Sequence, residues 1–291
     1  MKKIRFIINP ISGGFSKKNI PDIIRSEIDS TKFQVEIFVS KNANETEKYA
    51  KPETKDIDAI VAVGGDGTIN LIAKHLVNTP TPLGIIPMGS GNGLARHLGI
   101  PMNIKDSIRI INDFYSEKID TGMINALPFF NIAGLGFDAH IAKKFAHSVK
   151  RGLSNYAKLT IGEFNKYDSE VYEITSDNHH YKTAAFVIAV CLGSQYGNNA
   201  HISPQADLKD GRFSITILKK VSLKNVVGIA GKLFRKKLQN SKNILMFEDK
   251  SIRIYRSGSN PANIDGEPID MPADIEFRIN PLSLSVIKPR A

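Results

Sequence analysis

Three times within the first 93 residues, a short run of branched apolar residues stops at a glycine-rich turn and gives way to a polar or helical segment. The turns are Asn9-Pro10-Ile11-Ser12-Gly13-Gly14, Gly64-Gly65-Asp66-Gly67-Thr68 and Pro87-Met88-Gly89-Ser90-Gly91-Asn92-Gly93. Apolar runs at 4–8, 57–63 and 83–86 and alternation over 33–39 predict strands. Helical spacing over 21–30 and 68–78 separates them. The pattern predicts a mostly parallel sheet with flanking helices. In such a sheet the loops leaving the carboxyl ends of the strands share one edge, and ligands bind there.

Beyond about residue 121 the grammar changes. Strand-like runs appear at 128–133, 170–176, 183–191, 212–219, 251–256, 274–279 and 283–287, with helical candidates only at 138–165 and 222–238. The expectation is an α/β N-terminal domain over 1–122 and a mostly antiparallel β domain over 123–282, with the tail 283–291 returning to the first. An apolar content of 42% over 291 residues is ample for two cores.

Several classes are excluded by composition. The longest apolar stretch, 184–192, is about half of what a bilayer-spanning helix needs. The opening MKKIRFIINP is cut short by Asn9 and Pro10, so it reads as a first strand rather than a leader. One cysteine, Cys191, permits neither a disulfide framework nor a cysteine-based metal site and fits a cytoplasmic protein. The net charge of +10 suits an anionic partner. With no aromatic-basic RNA motif and no helix-turn-helix signature, nucleic acid is not the expected one.

Glycine turns after strands let backbone N–H groups and a helix N-terminus face an anion without a Cβ in the way. The familiar phosphate motifs are nevertheless absent. No Gly-x-x-x-x-Gly-Lys-Ser/Thr occurs, and Leu94 stands where a Rossmann fingerprint wants its third glycine. Asp66 would repel phosphates unless a divalent cation or a shared proton intervened, and Mg²⁺ is the economical answer.

Further motifs follow in order: Gly134-Leu135-Gly136-Phe137-Asp138-Ala139, Lys150-Arg151-Gly152 with Tyr156, Ser203-Pro204-Gln205-Ala206 leading to Asp210-Gly211, and Asp265-Gly266-Glu267-Pro268. With them the chain resembles, nearly end to end, the lipid kinases of the bacterial diacylglycerol kinase and sphingosine kinase type. Their N-terminal domain is like that of NAD kinases and phosphofructokinases. The resemblance implies an ATP- and Mg²⁺-dependent enzyme that phosphorylates the hydroxyl of a diacylglycerol- or sphingosine-like lipid at a membrane surface.

It also implies roles. Asn9, Pro10, Ser12, Gly13, Ser40, Gly64, Gly65, Asp66, Gly67, Thr68 and Asn70 would line the ATP site with Gly89, Ser90, Gly91 and Asn92. Glu267 would be the general base, with Asp265 as its rival and Asp66 serving the phosphates or Mg²⁺. A structural Mg²⁺ would use Asp207, Asp210 and the carbonyl of Arg212. A soluble NAD kinase-like enzyme and a catalytically weak nucleotide- or lipid-binding protein are the alternatives. Peripheral membrane association and a homodimer through edge strands stay open.

The chain departs from the family's usual residues at Leu71, Gly93 and Leu192. Gly93, in place of an acid, makes the third loop more similar to sphingosine-type kinases. Two local readings also have plain rivals. Asp210-Gly211 serves equally as a hairpin turn, while Glu267-Pro268 makes a simple two-residue turn less natural at Asp265-Gly266. The basic segment 222–238 is either a packed helix with a solvated face or a lipid-docking element.

Overall fold

The computed structural model of the chain describes residues 1–10, 19–51, 56–148 and 153–290. They divide into two compact units, Met1–Ile119 with Leu282–Ala291, and Asp120–Pro281.

The first unit opens with strand β1 (Lys2–Ile8), helix α1 (Ile20–Glu27), β2 (Phe33–Val39), α2 (Ala43–Ala50), β3 (Ala59–Gly64) and α3 (Asp66–Ala73). It continues with β4 (Leu83–Pro87), α4 (Gly93–His97) and α5 (Ile104–Asp113). The strands pair in parallel in the order β2-β1-β3-β4. β3 is buried along its whole length, as a strand covered on both faces must be. Helices α1 and α5 supply Ile20, Ile24, Ile108 and Ile111 to the same core as Phe6, Val61 and Val63. Asn42 and Asn103 cap α2 and α5 by accepting main-chain N–H groups of Glu45 and of Lys105 and Asp106.

Register sets up the site. Ile8 pairs with both Val39 and Val63, and Gly64 pairs with Pro87, so the strands end level. The glycine loops after β3 and β4 therefore leave from one edge, beside Asn9 at the end of β1.

Strand β5 (Ser116–Ile124) carries the chain into the second unit. There follow β6 (Leu127–Phe129), β7 (Ile132–Gly136), α6 (Phe137–Ala146), α7 (Leu153–Phe164), β8 (Glu170–Ser176), β9 (His180–Ala185) and β10 (Val187–Cys191). Next are β11 (Phe213–Leu218), α8 (Leu223–Phe234), β12 (Ile244–Asp249), β13 (Ser251–Arg256), β14 (Asn260–Ile264), β15 (Glu267–Met271) and β16 (Asp274–Ile287). One antiparallel sheet runs β12-β11-β10-β7-β14-β15. β16, β13, β8 and β9 also pair antiparallel, in that order. The last residues of β16 belong to the first unit, where Val286 pairs in parallel with Leu83.

Three expectations need correction. The helix expected over 138–165 is two, α6 and α7, joined by Glu163, which binds His140 and Lys144 of α6. The strand expected over 183–191 is also two, because at Phe186 the chain leaves the β8 ladder for that of β7 and β11. Conversely, 274–279 and 283–287 form a single 14-residue strand. Pro281 falls where this strand passes from its pairing with β13 to its pairing with β4, and β5 pairs with it as well. No helix among the described residues is long and apolar enough to cross a membrane.

Candidate active site

In the first unit, three side-chain and backbone contacts tie the glycine loops together. Asn9 Nδ2 donates to Thr68 Oγ1 at 3.0 Å, joining the first loop to the second. The second and third touch main chain to main chain: a Cβ on Gly65 would lie 2.9 Å from Gly89 Cα, and one on Gly89 only 2.5 Å from Gly65 Cα. Neither glycine has a positive φ, so close approach is what excludes a side chain here. Asp66 adds the third contact, its carboxylate accepting the N–H groups of Asn92 at 2.9 Å and Gly93 at 2.8 Å.

The Asp66 arrangement changes what the third loop offers. Gly89 N–H is taken by Asn92 Oδ1 at 2.8 Å, so three amides of this loop already serve side chains. Asn92 holds φ +54° and also donates through Nδ2 to Gly89 O. The loop thus contributes a closely packed, side-chain-poor floor more than these amides as anion donors. Gly93 gives its main-chain N–H to Asp66.

Ser40 lies at the end of β2, 2% exposed, with its hydroxyl shared between Ile8 O and Thr46 Oγ1. It fastens the strand ends rather than opening toward solvent. Thr68 is also buried, and a Cβ on Gly64 would lie 2.4 Å from its Oγ1. Pro10 and Ser90 are exposed, while Asp66, Gly67, Asn70, Leu71 and Gly91 are partly so. Ser12 and Gly13 lie outside the described residues, as do Lys150, Arg151 and Gly152.

In the second unit, β14 and β15 form a hairpin with Ile264 opposite Glu267. Asp265 and Gly266 make its turn with φ +49° and +94°, the pair of positive values a type I′ turn requires. The plain two-residue turn is therefore present after all. Pro268 is tolerated because β15 is the edge of its sheet, where a missing N–H need not break a ladder.

The two acids of this turn have different surroundings. Asp265 is 7% exposed, and its carboxylate accepts the N–H groups of Phe130 (2.8 Å), Asn131 (2.9 Å) and Ile132 (3.1 Å). Glu267 begins β15 with an exposed side chain. Of the two, Glu267 is the exposed acid.

Asp210-Gly211 is not a hairpin: it leads into β11 from an irregular segment. Asp207 Oδ1 accepts Lys209 N–H and Asp210 Oδ1 accepts Arg212 N–H, each at 2.9 Å or less. Sequence reasoning missed Asp120, which is fully buried and accepts Gly211 N–H at 2.8 Å. The available signal was a lone acid in the strand Lys118-Ile119-Asp120-Thr121.

Partial desolvation raises the pKa of Asp210; the Arg212 N–H opposes this, while the carboxylates of Asp207, Glu248 and Asp120 add to it. Among the described residues no three His, Cys, Asp or Glu side chains gather as a metal cage. Asp207 and Asp210 nevertheless offer two carboxylates in a region of converging negative charge, with Glu248 and Asp120 adding to it. Such a set fits Mg²⁺, which uses few carboxylates and keeps several waters.

The acid of the Gly134–Ala139 motif has a distant partner that local sequence does not indicate. Asp138, in the first turn of α6, accepts Asn263 Nδ2 at 3.0 Å and lies where a Cβ on Gly134 would come within 1.9 Å of its Oδ2. Burial pushes its carboxyl up to about 6, with the Asn263 contact pulling the other way. Cys191 is fully buried in β10, and desolvation raises its thiol pKa, so it is an inert packing residue.

Comparison with known proteins places these loops. The diacylglycerol kinase catalytic domain family matches residues 3–124, and the YegS C-terminal NAD kinase beta sandwich-like domain matches 131–288. A diacylglycerol kinase of Bacillus subtilis is 30% identical over 277 residues, spanning 92% of this chain and 90% of its own. The crystal structure of a diacylglycerol kinase from Bacillus anthracis superposes with a TM-score of 0.76 at 21% identity, covering 99% of this chain and 97% of that one. An NAD kinase from Archaeoglobus fulgidus, solved in complex with ATP, superposes with a TM-score of 0.52 at 15% identity over 98% and 93% of the two chains. At these identities the two structures speak for the fold.

Proposed function

Because the chain belongs to the diacylglycerol kinase catalytic domain family, with a YegS-like C-terminal domain, we propose that it is an ATP- and Mg²⁺-dependent lipid kinase. Its acceptor is the hydroxyl of a diacylglycerol- or sphingosine-like lipid drawn from a membrane surface. The lipid oxygen attacks the γ-phosphorus, the bond from that phosphorus to the ADP oxygen breaks, and the hydroxyl proton passes to Glu267.

The observation that carries the assignment of the base is the contrast within one turn. Asp265 spends its carboxylate on three main-chain N–H groups, whereas Glu267 is exposed one residue past the turn. A positioned base of this kind contributes about 10²–10⁴-fold. Asp265 is then a positioning residue for the hairpin that carries Glu267.

ATP is held by the loops at Asn9, Pro10, Gly64–Thr68, Asn70 and Gly89–Asn92, and Ser40 supports them from behind by fastening the strand ends. Phosphoryl transfer depends on positioning and charge neutralisation, which suits loops whose backbones approach as closely as Gly65 and Gly89 do. Asp66 acts by locking the second loop to the third. Mg²⁺ would be held by Asp207, Asp210 and the carbonyl of Arg212, where it would relieve the accumulated negative charge.

The test is transfer from γ-labelled ATP to lipid. Vesicles containing diacylglycerol, monoacylglycerol or sphingosine are incubated separately with the protein, and organic-extractable label is measured. Label in one arm names the acceptor, and its loss in Glu267→Gln with ATP binding retained supports the base. No label in any arm, or full activity in Glu267→Gln, overturns the respective part.

A further inference from the structure

The second unit carries a surface that the proposed chemistry leaves unused. Residues 211–247 contain no aspartate or glutamate and nine lysines and arginines. Helix α8 lies in the middle of this run. Its Val226, Ile229 and Leu233 pack inward on two apolar clusters, with Phe137, Phe186 and Val187 in one and Ile132, Cys191 and Ile202 in the other.

The opposite face is apolar too, which a helix that merely packs on a sheet would not show. Val227 is 77% exposed and Phe234 58%, with exposed Ala230 between them, at spacings of three and four residues. A Cβ added at Gly228 or Gly231 would meet nothing, so this face is open along its length. Arg235, Lys236 and Lys237 follow at its C-terminal end, all exposed. None of the three pairs with a carboxylate among the described residues, whereas Lys74, Arg253 and Arg278 elsewhere each do.

We propose that α8 is the element with which this chain lies on an anionic lipid bilayer. Val227, Ala230 and Phe234 enter the boundary between headgroups and acyl chains, and the cations after them reach the lipid phosphates. Apolar side chains on one stripe with basic residues alongside are what interfacial helices use, and long basic side chains keep their charge at headgroup level. The absence of any acid across 37 residues removes the repulsion that an anionic surface would otherwise meet. The inference deepens the reading of the chain as a lipid kinase by naming the surface that meets the membrane. It is tested without turnover, so the two fail separately.

The experiment is co-sedimentation of the full chain with sucrose-loaded vesicles, of phosphatidylcholine alone and of equal parts phosphatidylcholine and phosphatidylglycerol, without ATP. Binding to the anionic vesicles is expected, weakening as salt rises. The double variant Val227→Ser with Phe234→Ser, and the triple variant Arg235→Glu, Lys236→Glu and Lys237→Glu, should each lower affinity by about tenfold or more. Val171→Ser, at an exposed apolar site on β8, should change nothing.

The chain has no tryptophan, so Val227→Trp gives a single fluorophore that should shift to the blue on anionic vesicles. That variant keeps the test decisive even where a polar substitution disturbs folding. No vesicle binding, binding unaffected by both α8 variants, or no shift at Val227→Trp would each overturn the proposal. So would a dimer in the absence of lipid that Phe234→Ser dissociates, since the stripe would then be an interface between two copies.

Discussion

The carboxylate of Asp265 accepts the backbone N–H of Asn131 at 2.9 Å, joining residues 134 positions apart. With Phe130 and Ile132 donating to the same side chain, this contact fixes the turn of the β14–β15 hairpin to the entry of β7. Asp265→Asn keeps one acceptor but turns an NH₂ toward a buried N–H. The cost is about 1–3 kcal/mol for the group left unsatisfied. A lower thermal midpoint and faster hydrogen exchange at 130–132 are expected. A variant with wild-type stability and exchange but no activity would instead make Asp265 the base.

Asp66 and Gly65 give a paired prediction in the first unit. Asp66→Ala strands the N–H groups of Asn92 and Gly93, and Gly65→Ala drives a Cβ against Gly89 Cα. Backbone cannot yield as a flexible side chain can, so both variants should open the gap between the second and third loops. ATP affinity measured by calorimetry should drop about tenfold or more, the equivalent of roughly 1.4 kcal/mol. Unchanged affinity in Gly65→Ala would mean that the loops do not meet in solution as they do here.

How much of this was legible beforehand depends on distance along the chain. The glycine loops stood out because each follows a strand of branched residues, and those strands are the buried β1, β3 and β4. The acid at Asp66 was visible, but its partners were not, since nothing local says that Asn92 and Gly93 fold back on it. Asp265 was likewise visible as an acid beside Glu267, while the amides that occupy it lie on another strand. β14 and β15 escaped notice because Asn260, Pro261, Asn263, Pro268 and Asp270 spoil strand patterning; of the two, β15 is the sheet edge, where Pro268 need not break a ladder. α2 escaped it for a different reason: only Thr46 and Ala50 are buried, too few for a readable stripe.

Asp138 should make stability depend on pH in the direction opposite to that of a salt-bridged acid. Its carboxyl sits at about 6 instead of 3.8, because burial disfavours the charged form. The folded chain therefore holds this proton more tightly than the unfolded one. Its contribution is fully present below about 3.8 and is lost as pH rises through about 6. Asp138→Asn, which stays neutral, should be more stable than the wild type at about pH 8, by at most about 3 kcal/mol at 1.36 kcal/mol per unit. At about pH 3 the two should converge. Urea unfolding at both values checks this, and a parallel pH dependence in the variant would remove Asp138 as the source.

Arg256 holds the other end of the same hairpin. It is 1% exposed, and its guanidinium donates to the carbonyls of Asn260, Pro261 and Met271, where β14 begins and β15 ends. Among the described residues no carboxylate pairs with it, and its buried Nε has no hydrogen-bond partner. The charge is thus retained at a desolvation cost, for a fork that satisfies three main-chain acceptors at once. Arg256→Met keeps the packing volume but strands those carbonyls, and a loss of about 2–4 kcal/mol is expected. Arg256→Lys restores the charge without the planar fork and should recover only part of it. Hydrogen exchange at 260–264 and 267–271 should speed up more than at β10 in both variants. If Arg256→Met is instead as stable as the wild type, the buried guanidinium is not what closes the hairpin.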